Sequence, residues 1–214
     1  VKSERIMGEG VTSDVREAII EASIRLFLAK GYEGTSVKEI TEAVAIGRGT
    51  LYWYFKSKDE ILLSIFEKWE KAFVDGLRKA VNERDGDFTD KYKAFHKFST
   101  EFAREQRELA IVFNTLLNEI VGSHSPAETT VRAVYERYWR ILENMLEEGK
   151  KEGTVRKDID PHLYAHIFAA SHTGMLIEWF VSGRDLDVGP FVRAFRDIIL
   201  GSVTQDKRAC PGTN

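Results

Sequence analysis

A single cysteine in 214 residues, Cys210, rules out an intramolecular disulfide. It suits a reducing compartment and sets aside the disulfide-stapled secreted scaffolds. Four prolines against 16 glycines exclude collagen-like and proline-rich chains. No run reaches the roughly 18 uninterrupted apolar residues of a membrane span. The most apolar stretch, Ala165 to Val181, is broken by His166, Ser171, His172, Thr173 and Glu178. The opening VKSERIMGEG has no apolar middle of the kind a signal peptide needs. The expectation is a soluble, cytoplasmic protein with no membrane partner.

Excess positive charge is also lacking. The formal net charge is -3, so bulk composition does not advertise a nucleic-acid binder, and any such role must rest on a local cluster. Catalytic signatures are missing too. Gly47-Arg48-Gly49 has no preceding strand and no following Gly-Lys-Ser, so it is not a phosphate loop. His162 and His166 share a helical face at i, i+4 but lack a third ligand at metal spacing. No enzyme, metal site or cofactor is expected.

What is present is helical periodicity in a chain that is 43% hydrophobic and 30% charged, enough to bury a sizeable core. Val1–Gly10 and Lys207–Asn214 read as mobile tails. A first helix is expected from about Asp14 to Lys30, capped by Thr12, Ser13 or Asp14. Its buried face runs Val15, Ile19, Ala22, Leu26 and Ala29, widened by Phe27, and Gly31 ends it. Ser36 and Glu39 have capping-box spacing and open a short second helix. A tight turn leads to another short segment, Gly47 to Tyr54. A long amphipathic helix starts near Ser57, with Glu60 three residues on. Further helices are predicted at about Phe88–Glu105, Glu108–Val121, Pro126–Lys151, Pro161–Ser182 and Gly189–Val203. Pro126 and Pro161 suit first turns behind Ser125 and Asp160.

Two short helices joined by a tight turn read as helix-turn-helix, in which one helix braces on the DNA backbone and the next enters the major groove. The 16 residues between Glu42 and Asp59 hold no acid, and Arg48, Lys56 and Lys58 give that run a charge of +3. Residues 1–60 as a whole hold 9 bases and 10 acids, so the basic cluster is local. It suits phosphate contact without making the domain basic. Arg48 can make a bidentate contact to guanine and Gly49 permits close approach. Tyr52 and Tyr54 hydroxyls can donate to phosphates, which positions the protein without reading sequence.

These residues resemble a known family. Gly31-Tyr32-Glu33-Gly34-Thr35-Ser36-Val37, then Ile40 and Ala43, then Gly49-Thr50-Leu51-Tyr52-Trp53-Tyr54-Phe55-Lys56-Ser57-Lys58, are similar to the tetracycline-repressor (TetR) family of transcriptional regulators. The likeness covers Arg16 to Leu62, and the later Gly149-Lys-Lys-Glu-Gly153-Thr-Val-Arg156 is also similar. It implies an all-α protein of about nine helices. A three-helix DNA-binding domain over residues 11–57 would be followed by a ligand-binding and dimerising domain over residues 58–206. It implies a dimeric repressor released from operator DNA by a small-molecule effector, with activator behaviour and a helical protein-interaction module as alternatives. Carried over by position, Thr35 and Ser36 start the phosphate-facing second helix. Arg48, Gly49, Thr50 and Trp53 face DNA, and Tyr52, Tyr54 and Lys58 hold phosphates. The turn departs from the family's usual Gly-hydrophobic-Ser: here it reads Ala45-Ile46-Gly47. Ala45 in a left-handed conformation costs roughly 1 kcal/mol against glycine, so the turn could be shaped differently. Gly47 lacks the usual capping hydroxyl.

The last helices are apolar on more than one side, and a single small core needs only one stripe. Leu163, Ile167, Ala170, Gly174, Ile177 and Val181, joined by Phe191, Phe195 and Ile198, are the candidate interface of a two-fold dimer. For an apolar or aromatic effector the candidates are Trp69, Phe73, Phe98, Phe102, Phe113, Leu117, Tyr138, Trp139 and Trp179, with Asn114 and His172 as polar anchors. Tyr135 and Asn118 are further possibilities, and each aromatic is also a plausible plain core residue.

Overall fold

The computed structural model describes residues 9–183 and 185–205. Cys210 and nearly all of both expected tails lie outside these residues; Glu9 and Gly10, placed in the first tail by the sequence, are helical. In chain order the elements are α1 (Glu9–Lys30), α2 (Val37–Val44), α3 (Arg48–Tyr54), α4 (Lys58–Trp69), a π-helical segment (Glu70–Asp75), α5 (Gly76–Asn82), α6 (Phe88–Glu105), α7 (Arg107–Ile120), α8 (Pro126–Glu152), α9 (Pro161–Ser182) and α10 (Val188–Val203). With the uninterrupted helical run from Lys58 to Asn82 counted once, nine rods are present among the described residues. The only extended pairing among them is one isolated antiparallel bridge, Val155 with Thr204.

Local chemistry explains the boundaries. Ser36 caps α2: Glu39 N–H donates to its Oγ at 3.3 Å, and the Glu39 carboxylate accepts from the Ser36 N–H at 2.8 Å. Ser57 caps α4 by accepting from Glu60 N–H at 3.2 Å, and Asp160 caps α9 ahead of Pro161. Each such cap is worth about 1 kcal/mol. Gly31 stops α1 with φ +74°, a conformation open to glycine at little cost. The π segment was not anticipated by the periodicity; π turns are rare and often sit at functional positions.

Among the described residues the helices form two compact units. The first contains the chain through Lys71 together with Gln106–Arg132. Its core gathers Ile19, Phe27, Ile40, Leu51, Phe55, Ile61, Ile65, Phe66 and Phe113, all nearly inaccessible. Burying each such side chain contributes about 1.5–3 kcal/mol. Of the predicted face of α1, Ile19, Ala22 and Phe27 are buried, Val15 and Leu26 half-buried and Ala29 exposed. Ile20, Ser23 and Ile24 are buried as well, a wider face on a helix that also packs on α7.

The second unit contains Ala72–Glu105 and the chain from Ala133 onward. Here α6 packs on α5 and α10, and α10 on α9. Phe88, Tyr92, Phe95 and Phe168 are fully buried, and Arg156 N–H donates to Val203 O at 2.9 Å, tying the end of α10 back to the segment after α8. Gly149 is required by space: a methyl group there would lie 2.6 Å from Val155 Cγ2 and 2.7 Å from Phe88 Cβ. Gly149→Ala is therefore expected to lower stability by about 1–3 kcal/mol, read as a reduced denaturant midpoint. An unchanged midpoint would show that Phe88 and Val155 yield freely.

Candidate nucleic-acid interface and effector residues

The turn between α2 and α3 is built on Ala45, which has φ 57° and ψ 42°. The left-handed geometry is kept without the glycine, so the turn is not reshaped. Ala45 N–H donates to Glu42 O and Ile46 N–H to Thr41 O at 3.0 Å, satisfying the last carbonyls of α2. Gly47 begins α3 from an extended conformation with no side-chain cap.

On α3 the sequence separates two faces. Leu51, and Phe55 just beyond the helix, are buried against the first unit's core. Arg48, Gly49 and Thr50 are exposed, and Gly49 has open space where a side chain would stand. Tyr52 is 48% and Trp53 68% exposed. An indole that open is held by something other than the core: its ring meets the Tyr54 ring edge-on at 4.7 Å. Neither Tyr52 nor Trp53 is a core residue of this chain. Ser36 is exposed, with its Oγ committed to the cap.

Three residues expected at phosphates are placed differently. Thr35 is buried and its hydroxyl donates to Gly31 O at 2.8 Å. The Tyr54 hydroxyl is buried without a hydrogen-bond partner. Lys58 is turned inward, donating to Tyr32 O at 2.8 Å and Thr35 O at 3.1 Å, with its ammonium 4.1 Å from the Tyr32 ring centre. Lys58 thus braces the segment between α1 and α2 in this structure. Sequence reasoning also missed the centre of that brace. The Tyr32 hydroxyl donates to Asp59, and its backbone N–H donates to the Glu119 carboxylate of α7, with oxygens at 3.1 and 3.3 Å. Burial, then the Asp59 acceptor, pushes the Tyr32 hydroxyl well above its usual pKa, so it stays a donor.

The effector candidates are not gathered in one place. In the first unit Trp69 and Phe113 stack face to face, centroids 3.7 Å apart. On the same helix as Phe113, Asn114 donates to Ala110 O at 2.8 Å and Leu117 is half-buried. In the second unit Phe73 meets Phe102 at 5.1 Å, Tyr138 at 5.6 Å and Phe98 at 6.0 Å. Trp139 packs on His166 and Tyr135, and Trp179 on Phe180. Two clefts, of about 360 and 220 Å3, are lined by other residues.

His172 is buried in the second unit. Its Nδ1 lies 3.1 Å from Phe168 O, so the neutral ring donates there, and its Nε2 accepts from His96 Nδ1 at 3.3 Å. Burial pushes His96 down to about 4 and His172 to about 3, the second lowered further by its neighbour. Both rings are neutral at pH 7 in the folded chain and protonate near pH 6.5 once unfolded. The unfolded state therefore binds more protons between these values, and stability falls as pH drops from about 6.5 through about 4. Melting temperatures across that window should show the loss, and His96→Phe should show a shallower one.

A short helix carrying exposed arginine, threonine, tyrosine and tryptophan, capped onto a bracing helix through a tight turn, defines a helix-turn-helix DNA-binding protein. The matches agree over almost the whole chain. Residues 19–65 match the profile of bacterial regulatory proteins of the tetR family, and residues 66–202 match that of the C-terminal region of YsiA-like proteins. The chain belongs to the TetR family of transcriptional regulators. It is similar to the fatty acid metabolism regulator protein of Bacillus subtilis (strain 168), 22% identical over 199 residues, covering 86% of this chain and 93% of that one. It is 27% identical over 193 residues to the HTH-type transcriptional repressor KstR2 of Rhodococcus jostii (strain RHA1), covering 86% of this chain and 89% of that one. Among solved structures, the fatty acid degradation regulator FadR from Bacillus halodurans superposes with a TM-score of 0.76 at 25% identity, covering 92% of this chain and 97% of that one. The protein is a DNA-binding transcriptional regulator. No helix among the described residues is long and apolar enough to cross a membrane.

Proposed function

We propose that the protein acts in the cytoplasm as a homodimeric repressor that leaves its operator when a small molecule with an apolar or aromatic body binds. The observation that carries the DNA part is the exposed face of α3, with Arg48, Gly49, Thr50, Tyr52 and Trp53 outward while Leu51 is buried. Ser36 stands at the phosphate side of α2. Arg48 and Trp53 read bases, and Tyr52 positions the backbone.

Dimerisation is supported by α9, where Leu163, Ile167, Ala170, Gly174, Ile177 and Val181 are all exposed along one face. Val181 is 78% and Ile198 of α10 70% exposed. A contiguous apolar surface of this kind marks an association site. Phe191 and Phe195 of α10 are half-buried at its margin.

The Trp69–Phe113 stack and the Phe73–Phe98–Phe102–Tyr138 cluster offer apolar walls to an effector. Two relatives are regulators of fatty acid metabolism or degradation, which favours a fatty-acyl carbon skeleton. Binding shifts the operator equilibrium by its differential affinity for the two states, typically about 1–3 kcal/mol. The test is a gel shift on a duplex selected from a random pool, titrated with long-chain fatty acids and their thioesters. Roughly 5–150-fold weakening is expected from at least one. DNA binding that no member of the panel weakens would remove the release step. Binding insensitive to salt would favour a protein-interaction module instead.

A further inference from the structure

The buried pair His96 of α6 and His172 of α9 lies under α10. Phe195 of α10 stacks over the His96 ring, centroids 6.0 Å and planes 18° apart, and meets the His172 ring edge-on at 5.0 Å. From α6, Phe95 meets His172 at 4.3 Å and Tyr92 lies 6.4 Å from His96. The cover itself is lightly held: on α10 the buried side chains are Ile199 and Val203, while Phe195 is half-buried. Elements with few buried apolar contacts open at the least cost.

Two neutral imidazoles carry two N–H groups. One runs from His172 Nδ1 to Phe168 O, the other from His96 Nδ1 to His172 Nε2. His96 Nε2 is left as a bare acceptor, buried and without a hydrogen-bond partner among the described residues. The Val192 backbone of α10 favours a proton on this ring, but burial opposes the charge and prevails. Arg196 of α10, with its side chain 28% exposed, opposes a charge on His96 as well, and the more exposed Asp197 favours it. Tyr92, and Tyr138 of α8 that acts on it, are pushed above the ordinary tyrosine range by burial and stay neutral in acid.

We propose that α10 is an acid-sensitive latch: proton uptake by the His96–His172 pair releases α10 from α6 and α9 and, by withdrawing Phe191, Phe195 and Ile198 from the dimer surface, weakens self-association. The first half stands without the dimer proposed above; the second rests on it. With α10 docked, His96 protonates at about 4 and His172 at about 3; with the cover gone, both return toward 6.5. The released form therefore binds more protons between these values, and release is favoured as pH falls below about 6.5. Each hydrated ring contributes roughly tenfold between about pH 7.5 and about pH 5.5.

The test is hydrogen exchange of the full chain at about pH 7.5 and about pH 5.5, corrected for the intrinsic pH dependence of exchange. Protection of the α10 amides is expected to fall more than tenfold and up to roughly 100-fold, while α4 of the first unit keeps its protection. In His96→Phe, which leaves one ring, the fall in α10 should be no more than roughly tenfold. Should that variant fail to fold, His172→Met is measured in its place and must be blunted likewise. His162→Gln, which removes an exposed histidine of α9, should behave as wild type. Sedimentation at the same two pH values should show weaker self-association in acid for wild type and a smaller change for His96→Phe. A chain already monomeric at the higher pH would overturn the pairing half, and exchange in α10 would still decide the latch. The latch is overturned if α10 keeps its protection in acid, if His96→Phe loses as much as wild type, or if α4 loses as much as α10.

Discussion

Gly174→Arg is expected to turn the protein into a monomer and to weaken operator binding by roughly 100- to 10,000-fold. Gly174 sits mid-way along the exposed stripe of α9, and a side chain built there meets no atom within 4 Å. The substitution therefore costs the isolated fold little beyond removing a helical glycine, which is itself favourable by up to about 1 kcal/mol. In the proposed two-fold dimer the stripe packs against the partner's copy of the same surface, so each subunit would push a guanidinium into an apolar contact. A charge desolvated there without a partner is strongly disfavoured. The DNA consequence follows from geometry. Paired recognition helices engage half-sites about 34 Å apart, and the second engagement is nearly intramolecular once the first is made. A monomer loses that gain without losing any contact of α3. Sedimentation and gel shift at micromolar protein decide it. A variant that remains a dimer would remove α9 from the interface, and a monomer with wild-type operator affinity would break the link between pairing and binding.

The helix ends were legible because their causes are local. Ser36 with Glu39, Ser57 with Glu60, and Asp160 before Pro161 announce themselves within four residues, and the bounds of α6 and α9 are those the sequence predicts. The start of α1 was not, because Thr12, Ser13 and Asp14 can cap a helix but need not, and the helix runs back to Glu9. The π segment has no residue signature, since its extra residue per turn is a backbone matter. The outward face of α3 was readable from the apolar Leu51 and Phe55 on the other side. The inward turn of Lys58 was not legible, because capping of the Tyr32 and Thr35 carbonyls depends on tertiary approach, which spacing does not encode. The same holds for Glu119, which reaches Tyr32 across 87 residues. Aromatic residue type predicted burial correctly for Phe113 and Tyr138 but could not say which rings share a site.

Arg48→Ala should cost about 1–3 kcal/mol for each half-site, hence about 2–6 kcal/mol for a two-fold dimer, on the selected operator and far less on unrelated duplex. The position of Arg48 at the first turn of an exposed recognition helix gives its guanidinium reach to a base edge, and Gly49 beside it leaves no side chain in the way. Lys56→Ala makes the contrast. Lys56 is exposed just beyond α3; on the proposed reading it would act as a point charge to phosphate, and its loss should weaken all duplexes alike and reduce the salt slope by about one. Lys58→Ala belongs to neither class. Its ammonium is bound to two carbonyls inside the fold, so a lowered melting temperature should accompany whatever DNA binding is lost. Trp53→Ala removes a largely exposed indole, leaving the melting temperature nearly unchanged while operator affinity falls. Binding of all four variants to operator and to random duplex, at several salt concentrations, separates the roles. Should Arg48→Ala and Lys56→Ala lose affinity equally on every sequence, base reading would have to be assigned elsewhere on α3, where Thr50, Tyr52 and Trp53 are the exposed side chains that remain.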